Sequence, residues 1–109
     1  MSHIKEFHAH VYFDEHTADQ AEELCTRAKR QFSIAMGRVH KKLVGPHPMW
    51  SCQLAFSPEV FGQVIPWLAL NRNGLIIFTH PETGDVVKDH TAHAVWMGKV
   101  LELNLSAFD

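Results

Sequence analysis

Residues 7 to 13, Phe-His-Ala-His-Val-Tyr-Phe, alternate with a period of two, and that pattern sets a strand with two different faces. Phe7, Ala9, Val11 and Phe13 point one way and make an ordinary core face. His8, His10 and Tyr12 point the other way. Same-face neighbours on a strand stand about 7 Å apart, two residues at roughly 3.3 Å rise. Two imidazoles at that spacing can close on one metal ion when a third ligand comes from elsewhere. The remaining chain has to fit this strand and supply that ligand.

After the strand, Thr17-Ala18-Asp19-Gln20 has the form of a capping box, so a helix is expected from there to about Ile34. Ala18, Ala21, Leu24, Cys25, Ala28 and Phe32 recur at three- and four-residue steps and form its apolar stripe. Gly37 closes the connection. Arg38 to Val44 alternates basic with apolar residues, as an edge strand blunted by lysine does. Gly45-Pro46-His47-Pro48 turns the chain, and Met49 to Phe56 reads as a third strand. Ser57-Pro58-Glu59 starts a second helix, with Phe61, Val64, Ile65 and Leu68 as its stripe and Pro66 as an expected kink. Asn73-Gly74 stops it. Leu75 to Thr79 is a short apolar strand, His80-Pro81-Glu82-Thr83-Gly84-Asp85 reads as a turn, one helical turn is expected over Asp89 to His93, and Val100 to Leu105 reads as a further strand or an extended tail.

The order strand-helix-strand-strand-helix-strand predicts an α+β, ferredoxin-like sandwich with a C-terminal extension. Its sheet order is fourth, first, third, second, which puts the His8/His10 strand in the middle. Two helices cover the Phe7/Ala9/Val11/Phe13 face. The histidine face is then left for the C-terminal segment or a second subunit to cover, and a homodimer is expected.

The chain's 109 residues point to a single domain over 1–109. Hydrophobic content of 46% against 20% charged residues is that of a globular protein, and a formal charge of -2 with scattered Lys and Arg offers no nucleic-acid surface. The longest apolar run, Ile65 to Leu70, contains Pro66 and is far too short for a membrane span. Lys5 and Glu6 near the start leave no room for the apolar core of a signal peptide. Cys25 and Cys52 sit in apolar patterns and read as buried thiols of a cytoplasmic protein. The unusual feature is nine histidines against one tyrosine.

Topology gathers several of those histidines. His47 lies in the turn toward which the first strand runs, near His10 and Tyr12. His80 ends the fourth strand, antiparallel to the first and so near His8. His90 and His93 follow, with Asp85 and Asp89 as available carboxylates. Neutral imidazoles bind divalent iron, zinc, copper or nickel, and two His with a carboxylate suit ferrous iron that must also take dioxygen. Taken singly, each of these has a plainer role: a strand His is ordinarily a hydrogen-bonded structural residue, and a Pro-bracketed His belongs to a turn. The coincidence of several at one place favours a site. His3, His16 and His40 read as surface residues, Trp50 and Trp67 as core or interface.

His-Ala-His-Val-Tyr-Phe at 8–13, Gly-Pro-His-Pro at 45–48, His-Pro-Glu-Thr-Gly-Asp at 80–85 and Asp-His-Thr-Ala-His-Ala-Val-Trp at 89–96 together resemble the DOPA 4,5-dioxygenase family in its small fungal and bacterial form. The resemblance spans nearly the whole chain. It implies extradiol cleavage of a catechol such as DOPA by dioxygen on non-haem Fe(II), which zinc or nickel can replace in a purified sample. For that chemistry His8 and His10 are expected as metal ligands, with the third from His80, His90 or His93 and His80 placed first; the motifs themselves do not separate metal ligands from the histidines behind them. His47, His90 and Tyr12 are then catalytic candidates, and Arg72 and His93 candidates for binding substrate. Two other classes stand beside this one: a ferredoxin-like module that binds metal or a small aromatic without turning it over, and a structural dimer with a histidine-lined interface.

Overall fold

The alternation at 7–13 is realised as β1 (Phe7–Phe13), at the centre of a five-stranded antiparallel sheet in a computed structural model that describes residues 3–109. The chain continues through α1 (Ala18–Phe32), β2 (Ala35–His40), β3 (Trp50–Phe56), a 3-10 turn at Pro58–Val60, α2 (Phe61–Asn71), β4 (Ile76–Pro81), α3 (Val86–Asp89), β5 (Val95–Met97) and a last 3-10 turn at Leu105–Phe108. Sheet order is β2-β3-β1-β4-β5. The first four strands take the ferredoxin-like order expected from the element sequence, and β5 adds a fifth strand outside β4.

The core lies between the sheet and the two longer helices. Ala9, Val11 and Phe13 from β1 meet Cys52, Leu54 and Phe56 from β3, Ile77 from β4, Leu24, Cys25 and Ala28 from α1, and Val64 and Leu68 from α2. Full burial of one such large aliphatic side chain contributes about 1.5–3 kcal/mol. Cys25 and Cys52 are buried free thiols, as the apolar pattern implies. Trp50 and Trp67 pack against the core, on Phe13 and Phe32 respectively.

Element boundaries differ from the expectations in ways the pairing explains. The capping box does not form: the Thr17 hydroxyl donates to Asp14 Oδ1, and the Gln20 amide reaches the Asn73 carbonyl instead. Helix α1 stops at Phe32 because Ser33 takes a left-handed φ of 54°. Strand β2 covers 35–40 rather than 38–44, since β3 begins at Trp50 and offers no partner beyond the His40–Ser51 pair. Gly37 therefore lies inside the strand, at an irregularity between Met36 and Val39. Pro66 sits within α2 without dividing it; the carbonyl it orphans belongs to Gly62, which is exposed to solvent near the helix start. Strand β4 runs on to Pro81, because His80 pairs with His8 and Pro81 with Phe7. The short α3 precedes His90, with the Asp85 carboxylate accepting from the Lys88 N–H as its cap. Residues 100–105 are not a strand, and the fifth strand lies earlier at 95–97, ended by Gly98 at φ 90°.

Candidate active site

On the face of the sheet away from α1 and α2, cross-strand pairs between β1 and β4 stack into rungs. His8 lies opposite His80, His10 opposite Phe78 and Tyr12 opposite Ile76. Backbone bonds between residues 5–6 and Glu82 continue the ladder one rung further, so Glu6 and Glu82 occupy the same face beyond His8 and His80. Each glutamate stands two residues from its histidine in sequence, the spacing that puts both on one strand face. The C-terminal segment covers part of this face: Trp96 stacks on Phe78 at 4.6 Å, Phe108 lies 4.6 Å from the His90 ring, and the Asn104 N–H donates to the Pro46 carbonyl.

His8, His10 and His80 each offer a ring nitrogen within 4.8 Å of the other two. His10 Nε2 and His80 Nε2 are 3.0 Å apart. Two nitrogens that each stand about 2.1 Å from one cation at right angles are roughly 3 Å apart, so this pair fits adjacent coordination positions. His80 Nδ1 donates to the Pro81 carbonyl (3.1 Å), which leaves its Nε2 lone pair directed at the cluster. His10 and His80 therefore fit a divalent ion in atom type and separation, and His8 brings a third ring nitrogen within reach of both.

Electrostatics favour the ligand-ready form. Burial, then the neighbouring imidazoles of His47 and His80, hold His10 well below the ordinary imidazole range. Burial likewise lowers His47 and His80 to about 4 each. These rings are neutral at physiological pH and keep their lone pairs. Burial pushes the Tyr12 phenol up, so it stays protonated and donates to His47 Nδ1 at 2.8 Å. That bond fixes the proton of neutral His47 on Nε2. His90 is fixed the other way: its Nδ1 donates to the Val86 carbonyl at 2.7 Å, so Nε2 carries the lone pair.

The expected residues separate into two groups. His8, His10, Tyr12, His47, His80 and His90 converge, with ring centroids of 4.1 Å for His10–His47 and 4.0 Å for His80–His90. His93 is exposed and donates from Nδ1 to Asp89 at 2.9 Å. Asp89 is buried; burial pushes its carboxyl up, but the Thr83 N–H, His93 and the Thr83 hydroxyl offset this and hold it below the usual range. Arg72 donates to the Leu75 carbonyl and packs beneath Gly98, where it ties the start of β4 to the end of β5. A cavity of about 280 Å³ opens beside His90 and Trp96, lined further by Val100, Leu101, Leu103 and Glu102. A cleft of about 350 Å³ lies at Phe13, Leu43 and Trp50, and none of the clustered histidines lines it.

Fold and site together define a small α+β protein whose central strands carry a buried imidazole cluster on one sheet face. The chain belongs to the Dopa 4,5-dioxygenase family, whose family model matches residues 7–107. It is 38% identical, over 92% of its length, to an uncharacterized 21.2 kDa protein of Botryotinia fuckeliana. It is 32% identical, over 96% of its length, to a DOPA 4,5-dioxygenase of Amanita muscaria. The chain spans 61% and 50% of those two relatives' own lengths. A crystal structure of a Nostoc punctiforme protein, 46% identical, superposes with a TM-score of 0.93 over 96% of this chain and 91% of that one.

Proposed function

We propose that this face is the active site of an extradiol dioxygenase that opens a catechol ring such as that of DOPA, with non-haem Fe(II) held by His8, His10 and His80. The observation that carries the reading is the trio of ring nitrogens within 4.8 Å of one another. Ferrous iron, when bound, supplies positions for both catechol oxygens and for dioxygen. The chain's own residues supply the proton chemistry. His90 presents an Nε2 lone pair beside the cluster and is the base that takes a catechol proton. His47, with its proton on Nε2, is the acid that returns one to a developing oxyanion. Phe78 and Trp96 offer flat apolar surfaces, and the cavity beside His90 is of a size for one small ring.

Protein loaded anaerobically with Fe(II) is expected to consume oxygen on addition of DOPA or another catechol, with a ring-opened product. Metal and catechol binding with no oxygen uptake would instead identify a non-catalytic binding module. Failure to retain iron would overturn the reading outright.

A further inference from the structure

His8 differs from the other clustered imidazoles in that carboxylates hold both of its nitrogens. Glu6 Oε1 stands 2.6 Å from Nε2 and Glu82 Oε1 3.0 Å from Nδ1. The two glutamates form one rung on the His8 face, with the His8 ring between them. His10 and His80 approach each other through Nε2, the ring atom farthest from the backbone. In His80 the nearer nitrogen, Nδ1, is held by a carbonyl while Nε2 faces the cluster. His8 projects from the same sheet face, and Glu82 stands at its Nδ1 as the Pro81 carbonyl does at that of His80. Its Nε2, however, is held by Glu6.

From this arrangement we infer that Glu6 and Glu82 act in opposite senses on metal capture. Glu82 is a positioning residue: it accepts from His8 Nδ1 and fixes the ring with Nε2 toward the ion, as carboxylates behind metal-bound histidines do. Glu6 is a competitor: it holds His8 Nε2 and must be displaced before that nitrogen can coordinate. The inference rests on the metal reading of the site. It differs from simple charge attraction, under which both carboxylates would strengthen cation binding.

The test is the affinity of the purified full chain for Co(II), titrated by its visible absorption, in wild type, Glu6→Gln and Glu82→Gln. Both side chains are part-exposed, with 45% and 36% of the side chain accessible, so neither change empties the core. Glu82→Gln is expected to weaken binding by about 10–100-fold, and Glu6→Gln to tighten it several-fold. On a His8→Gln background neither substitution should alter the affinity. Weakening by both, or no change in either, would overturn the inference while leaving a metal site in place. Absence of Co(II) binding in the wild type and in Glu6→Gln would instead overturn the metal reading, and this inference with it.

Discussion

At the residue scale, the site is a set of imidazoles sorted by what holds their second nitrogen. On the proposed iron reading, His10→Ala removes one of the two nitrogens that stand 3.0 Å apart, and protein loaded with Fe(II) should no longer retain it by elemental analysis. His90→Gln leaves the His8/His10/His80 trio untouched; kcat for oxygen uptake should fall by about 10²–10⁴-fold while iron content holds. Tyr12→Phe strands His47 Nδ1 in a buried position, which costs about 1–3 kcal/mol in urea unfolding. The buried imidazoles also set a pH dependence for the metal-free protein. Unfolded histidines protonate near pH 6.5, whereas folded His47 and His80 do so near 4, so the unfolded chain binds more protons between those limits. Stability is then fully present above about pH 6.5 and is lost as the pH falls toward 4, by a few kcal/mol in total on the order set by such shifts. Urea midpoints at pH 7 and pH 4.5, in chelator, check the sign.

At the element scale, the chain leaves β5 at Gly98, at φ 90° with Arg72 Nη1 only 2.8 Å from where a Cβ would stand. Gly98→Ala should cost about 1–2 kcal/mol from backbone strain alone, seen as a melting temperature lower by several degrees. Leu54→Ala, fully buried in β3, should cost about 2–5 kcal/mol. The elements most legible in the sequence were those whose pattern is local. The alternation of β1, the stripe of α1 and the Ser57-Pro58 start each predict their structure from neighbours alone. Misplaced elements depended on partners instead. Nothing near residues 41–44 says that β3 begins too late to pair with them, and nothing local says that β4 runs one residue past His80 to pair Pro81 with Phe7. The same division runs through the site. His-x-His announced itself, but Glu6 and Glu82 become informative only once β1 and β4 are in register. Arg72, a candidate for contacting substrate, is engaged with the Leu75 carbonyl across the Asn73-Gly74 turn; the motif marks the turn but not the direction in which the guanidinium folds back.

At the scale of the whole molecule, the C-terminal segment does the work that sequence order alone left to a tail or a second copy. Phe108 and Trp96 lie over His90 and Phe78, and His10 and His80 are buried by this chain's own residues. Homodimer formation is a separate expectation, which sedimentation equilibrium would check as a mass twice that of the 12.4 kDa chain. Among the described residues no helix is long and apolar enough to cross a membrane. The two nitrogens that meet at the centre of the cluster come from residues 70 positions apart. Contacts of such separation form late, because a long loop must close before they repay its entropy. During refolding the helices and the β2-β3 hairpin can consolidate while the chain remains blind to metal. On the proposed metal reading, the ability to capture an ion should therefore appear only with the closing kinetic phase, so that stopped-flow metal uptake would time the docking of β4 onto β1.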